Sequence, residues 1–102
     1  MREFEDLIYE HVRLVPLGMV STFGELARAV GNNVQVSYIV NILKKVQDIT
    51  YIPTHRIVTG NGELSSSFVD GGKRGQKKLL RFEGVIVKKN KVDLSKYGFY
   101  FW

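Results

Sequence analysis

No cysteine occurs in the 102 residues, which excludes disulfides, thiolate nucleophiles and cysteine-ligated metal sites. Histidine is nearly as scarce. His11 and His55 are too few for a zinc cluster, and neither a metal nor any other cofactor is expected. No stretch approaches the roughly 20 apolar residues of a membrane span. The start, Met1-Arg2-Glu3-Phe4-Glu5-Asp6, lacks the basic-then-apolar order of a signal peptide, so the chain is expected to be soluble and cytoplasmic, with no membrane partner. Internal repeats and low-complexity segments are also absent. With only two prolines, Pro16 and Pro53 stand out as the fixed-φ points of the chain.

What is present suffices for one core: 44% apolar residues over 102 positions predict a single domain spanning 1–102, expected to act as a monomer. Charge is uneven. Residues 1–30 hold three arginines against five acids, net −2, whereas residues 31–102 hold twelve Lys and Arg against five acids, net +7. Such an excess suits a polyanionic partner, because each phosphate neutralised releases condensed counterions; it also suits a lysine-rich solvated surface.

Phe4, Leu7, Ile8 and Val12 recur at the spacing of one helical face and predict a helix over residues 3–14, broken by Pro16-Leu17-Gly18. Thr22-Phe23-Gly24-Glu25 matches a capping box, in which hydroxyl and carboxylate satisfy each other's backbone amides. A second helix therefore starts near Phe23, buries Leu26, Ala27 and Val30, and ends on left-handed residues in Gly31-Asn32-Asn33. A third, over about 34–46, buries Val36, Ile39, Val40 and Leu43 and turns Ser37, Asn41, Lys44 and Lys45 outward. A short helix, a tight turn and a second helix with a free polar face make either a helix-turn-helix or an ordinary three-helix core with a solvated face.

The apolar run Ile52-Pro53-Thr54-His55-Arg56-Ile57-Val58 carries three polar residues at its centre, just where a helix is expected to hand over to a β-hairpin. Pro53 fixes its own φ and pushes Ile52 towards extended geometry, which presents Thr54 at a defined point in a pocket. Beyond it, residues 56–59 and 63–66 flank Asn61-Gly62, a hairpin signal, and a hairpin after a helix-turn-helix makes a wing. The fold class expected is mainly α with small β-hairpins, of winged-helix type. Residues 65–72 read as a flexible loop over the pocket, with Phe68 and Val69 turned inward. A fourth helix, about 73–82, buries Leu79, Leu80 and Phe82 and aligns Lys73, Arg74, Lys77, Lys78 and Arg81 as a phosphate contact or a solvated face. A closing hairpin is expected from residues 85–87 and 91–94 over 88–90. The aromatic tail, Tyr97 and Phe99 to Trp102, is a core plug or a ligand wall.

Read together, Pro16-x-Gly18-x-Val20-Ser21-Thr22-Phe23-Gly24-Glu25, Gly31, Pro53-Thr54-His55-Arg56-Ile57, Gly62, Gly71-Gly72 and Leu79-Leu80-x-x-Glu83-Gly84 resemble the DNA-binding domain of the alkylguanine-DNA alkyltransferases. The likeness is closer to their alkyltransferase-like relatives and runs from about Phe4 to the end. It implies that Thr54 stands where the alkyltransferases have the cysteine that takes the alkyl group from a flipped guanine, with His55 and Glu83 matching the pair that helps to make it a thiolate. A threonine hydroxyl is far too weak a nucleophile to replace it, so no catalytic residue is expected and His55 becomes an orienting residue. The alkyltransferase-like proteins bind O6-alkylguanine without repairing it and mark it for nucleotide excision repair. By this resemblance the lesion pocket comprises Phe23, Pro53, Thr54, His55, Val58, Phe68 and Val69. The DNA contacts are Thr22, Phe23, Ser37, Tyr38, Asn41, Lys44, Lys45 and Arg56. Phe23 stands for an aromatic residue that rotates the target phosphate, and Val46 for an asparagine hinge. Ser37 stands for an arginine finger that fills the gap left by the flipped base. With serine there, Tyr38 or Asn41 substitutes, or flipping is weakened, or the protein is a winged-helix duplex binder without lesion selectivity.

Overall fold

A computed structural model describes residues 2–31, 34–46, 50–65 and 71–101, with the side chains of residues 2 and 3 excepted. The chain runs α1 (Arg2–Leu14), β1 (Ser21–Thr22), α2 (Phe23–Val30), α3 (Val36–Leu43), a 3₁₀ turn (Thr54–Arg56), β2 (Ile57–Val58), α4 (Gly72–Phe82), β3 (Val87–Lys88), β4 (Lys91–Val92) and α5 (Leu94–Tyr97). It is mainly helical, as the composition and periodicity lead one to expect. β1 and β2 lie parallel in the middle, with Ser21 opposite Ile57 and Thr22 opposite Val58. Because successive side chains of a strand point to opposite faces, this ribbon separates two cores. Ile57 joins Ile8, Val12, Leu26, Ile39 and Leu43 on one side; Val58 joins Leu64, Leu80, Val85 and Val92 on the other.

The helices of the first core follow the apolar spacing, with local corrections. In α2 the Thr22 hydroxyl accepts from the Glu25 amide at 3.0 Å, a cap that contributes about 1 kcal/mol. The reciprocal half of the box is not made: the Glu25 carboxylate accepts instead from the Phe101 amide and from Arg28, which also binds the Phe101 carbonyl. Tertiary anchoring of the tail has won over local capping. Gly31 sits at φ 165°, which is extended and not left-handed, and residues 32 and 33 lie outside the described residues. Val30 is only half-buried. In α3 the buried stripe is Ile39, Ile42 and Leu43, while Val36 is 43% exposed, so the helix is rotated from the orientation its first turn suggests. The Tyr9 hydroxyl, donating to the Ile42 carbonyl at 3.2 Å, fixes that rotation against α1.

Among the described residues, 56–59 and 63–65 share the backbone bond Thr59 N to Glu63 O at 3.0 Å but do not form the strand pair of the expected wing. Ile57 and Val58 are both wholly buried, and a two-stranded wing would expose one of them; pairing with β1 between the two cores buries both. The chain beyond the turn pairs instead with the closing hairpin, through Leu64 N to Asn90 O at 2.9 Å and Val92 N to Gly62 O at 2.8 Å. Gly62 has φ 85°, and a Cβ there would collide with the Val92 carbonyl. The closing hairpin is as expected: β3 and β4 join through Lys89 and Asn90 at φ 53° and 59°, the left-handed pair of a type I′ turn. Residues 94–97, read partly as strand, form α5, capped by Asp93. Beyond it the tail runs beside β1, with Phe99 N to Val20 O at 2.7 Å, and Phe101 plugs the first core edge-on to His11. Phe82, expected inside, is 90% exposed: it sits at the last position of α4, on the side away from Leu80.

Candidate nucleic-acid interface

The 3₁₀ turn is set by Pro53, at φ −78° and ψ 70°, followed by Thr54 N to Ile52 O at 2.8 Å and Arg56 N to Pro53 O at 3.0 Å. The turn feeds directly into β2, so its three side chains are held by the central ribbon. Thr54 is 0% exposed, and its hydroxyl meets no hydrogen-bond partner among the described residues. The Nδ1 atom of buried His55 and the hydroxyl of Ser21, across the ribbon on β1, are in the same condition. Leaving such a group unsatisfied costs about 1–3 kcal/mol, and three at one junction call for an explanation.

On its other side the turn is heavily bonded. His55 Nε2 lies 2.8 Å from Glu83 Oε2, and Arg56 grips the same carboxylate through Nε and Nη2, each at 2.9 Å, while donating from Nη1 to the Val15 carbonyl at 3.0 Å. Glu83 is delivered by the end of α4. Burial works to raise its pKa, but the bonds from Arg56 and His55 outweigh it and hold the carboxyl below its ordinary value. Burial likewise dominates at His55 and lowers its pKa, with the Glu83 bond pulling the other way, so the imidazole is neutral at pH 7. A neutral ring facing a carboxylate through Nε2 carries its proton there, which leaves Nδ1 as an acceptor beside the Thr54 hydroxyl in sequence. The site has an orienting base and no strong nucleophile. A cleft of about 350 Å³ opens on the Glu83 side; Pro53 and His55 line it, with Arg13 stacked on Tyr51 at 4.3 Å, but Thr54 does not.

Of the expected pocket residues, Phe23, Pro53, Thr54, His55 and Val58 are all buried, but Phe23 packs in the first core and Val58 in the second, on opposite sides of the ribbon. Phe68 and Val69 lie outside the described residues. Among the expected DNA contacts, Ser37, Asn41, Lys44 and Lys45 are exposed on or just beyond α3. Lys45 is not free, since its ammonium meets Glu5 at 3.1 Å. Tyr38 is half-buried, its ring 5.9 Å from that of Phe4. Thr22 is occupied as the cap of α2. Arg56, half-buried, holds Glu83 through two nitrogens and donates to the Val15 carbonyl, so its guanidinium is engaged within the fold.

Sequence reasoning missed Gln76. Wholly buried, it donates from Nε2 to the carbonyls of His55 and Ile57, each at 3.0 Å, and accepts from the Ser65 amide at 2.8 Å. It straps the 3₁₀ turn and β2 to the segment that enters the expected pocket loop. The signal was present: Gln76 lies four residues before Leu80, on the apolar face of α4, where a polar residue needs a partner.

A family model described as "6-O-methylguanine DNA methyltransferase, DNA binding domain" matches residues 3–85. The chain belongs to that family. It is 32% identical to alkyltransferase-like protein 1 of Schizosaccharomyces pombe, over 95% of this chain and 94% of that protein. It is also 28% identical to the DNA base-flipping protein of Escherichia coli, over 92% of this chain and 72% of that one. The fold superposes on the crystal structure of S. pombe Atl1 in complex with damaged DNA containing O6-carboxymethylguanine, with a TM-score of 0.86 over 97% of this chain and 96% of that one. Within the family, Thr54 thus stands in a chain that has no thiol to accept an alkyl group.

Proposed function

We propose that this member of the family is a non-enzymatic reader of O6-alkylguanine in duplex DNA, acting as a monomer, and that the complex it holds marks the lesion for nucleotide excision repair proteins. The observation that carries the reading is the pairing of an intact His55–Glu83–Arg56 support with a buried threonine whose hydroxyl has no described partner. A flipped base received beside this support meets no thiolate, so no chemistry ends the encounter. The likeness to a protein solved on damaged DNA supports the choice of ligand. On this reading α3 lies on the duplex and the flipped base is received beside the turn that carries Thr54. Titration against matched duplexes with guanine or O6-methylguanine, at one fixed salt concentration, should show about tenfold or greater preference for the lesion. Equal affinities would sink the reading.

A second reading rests on Ser37, which is exposed on α3 and too short to fill the gap of a flipped base. It makes the protein a duplex binder that no longer unstacks bases. A 2-aminopurine beside the lesion separates the two, because its fluorescence rises only if the neighbouring base leaves the stack.

A further inference from the structure

We propose that the β3–β4 hairpin and α5 form a second phosphate-binding surface, which takes the backbone of the duplex outside the footprint of α3. The inference rests on duplex DNA being the ligand, but not on lesion selectivity. Phosphate contacts supply most of the affinity of DNA-binding proteins, and α3 offers few. Of the outward side chains on and just beyond α3, Ser37 and Asn41 are neutral, and only Lys44 and Lys45, the latter in an exposed pair with Glu5, are cations.

The cations lie elsewhere. Residues 73–96 hold nine Lys and Arg against two acids. Both acids are engaged, Glu83 by Arg56 and His55, and Asp93 by the amide and hydroxyl of Ser95 at 3.0 and 2.6 Å. Arg81 donates to the Val87 carbonyl at 2.9 Å and so joins the end of α4 to β3. On the hairpin, Lys88 and Lys91 are direct cross-strand partners, an arrangement of like charges that destabilises an isolated hairpin. Lys89 occupies the left-handed turn between them, and Lys96, 5.3 Å over the Tyr97 ring, comes in from α5. Lys88, Lys91 and Lys96 converge on one groove of about 460 Å³ whose apolar wall is Ile86, Val92 and Tyr97; Asp93 also lines it and keeps its charge, so the groove carries three cations against one carboxylate. A single lysine would protect a sheet edge from pairing; three around one groove fit the phosphates of a backbone strand.

The hairpin packs on the second core and α3 on the first. The molecule is 35 Å along its longest axis, about ten base pairs of duplex, so a duplex of about 8 base pairs is shorter than the molecule and one of about 26 extends well past it. The test compares the parent chain with the Lys88→Ala, Lys91→Ala, Lys96→Ala triple variant on duplexes of about 8 and about 26 base pairs, each with and without a central O6-methylguanine, across a salt series. On the long duplex the log Kd against log salt slope should fall by about 2 to 3, since each phosphate contact contributes about 0.9. The short duplex should show a change below about 0.5 on the same scale. Lys44→Ala, the control, should lower the slope by about 1 on both lengths. Unchanged slopes on the long duplex, or an equal fall on both lengths, would overturn the proposal. The lesion preference is read from the same titrations. Its absence in the parent would count against the proposed function alone, and a matching thermal melt of the two proteins verifies folding.

Discussion

Two regions of this protein are built on opposite principles. Around the 3₁₀ turn, nearly every polar group of Arg56, Glu83 and Gln76 is fixed by a short bond in a buried setting. On the outward face of α3, Lys45 makes one exposed ion pair with Glu5. Buried networks are worth several kcal/mol to break, whereas exposed pairs are worth less than about 1 kcal/mol. The difference teaches that the support of the expected pocket is part of what keeps this fold together, while the exposed face of α3 can be rewritten at little cost in stability.

The sharpest way to break that contrast is Glu83→Ala. Removing the carboxylate leaves a guanidinium and an imidazole without their partner in a mostly buried site, and the expected loss is about 3 kcal/mol of unfolding free energy by urea titration. A loss below about 1 kcal/mol would mean that the network behaves as a surface salt bridge. Next comes Gln76→Leu, close in volume but unable to bond. It removes the bonds to two carbonyls and one amide, and an expected loss of about 2 kcal/mol should come with amide exchange at Ser65 faster than in the parent. If Ser65 exchange is unchanged, Gln76 fills space and does not strap the loop.

How much of this was legible beforehand depended on the kind of force involved. Helix α1 and the cap at Thr22 follow from local spacing and local bonding, and both appear where expected. The central ribbon was not legible, because two-residue strands carry no alternation to read and Ile57 and Val58 gain more from β1 than from a hairpin partner. Phe82 was misplaced because periodicity locates a face but not the point where the core beneath it ends. Of the candidate site, the resemblance grouped His55 with Glu83, and the two meet at 2.8 Å. The inward turn of Arg56 and the strap from Gln76 depend on carbonyls distant in sequence, at Val15, His55 and Ile57, which no local pattern reveals.

Acidification tests the buried region without a mutation. The folded state holds His55 neutral and Glu83 ionised at pH values where the unfolded chain protonates them, so the unfolded chain binds more protons. Both contributions are therefore complete above pH 6.5, the ordinary histidine value, and are lost as pH falls, first through His55 and then, below the ordinary carboxyl value of 4.5, through Glu83. Urea midpoints measured from pH 8 to 4 should be flat above 6.5 and decline below it. In Glu83→Gln the fall below pH 4.5 should be smaller, and an unchanged profile would assign the decline to other groups.

The exposed region should answer differently, and Ser37→Arg measures how differently. The side chain projects from a solvated helix face with no described contact to disturb, so the urea midpoint should stay within about 0.3 M of the parent. An arginine there is long enough to enter the base stack and hold the gap of a displaced nucleotide. Affinity for the O6-methylguanine duplex should therefore rise about tenfold, roughly 1.4 kcal/mol, and by more than affinity for the unmodified duplex. Equal gains on both duplexes would show that the added charge acts on phosphates alone, and that α3 does not face the flipped base.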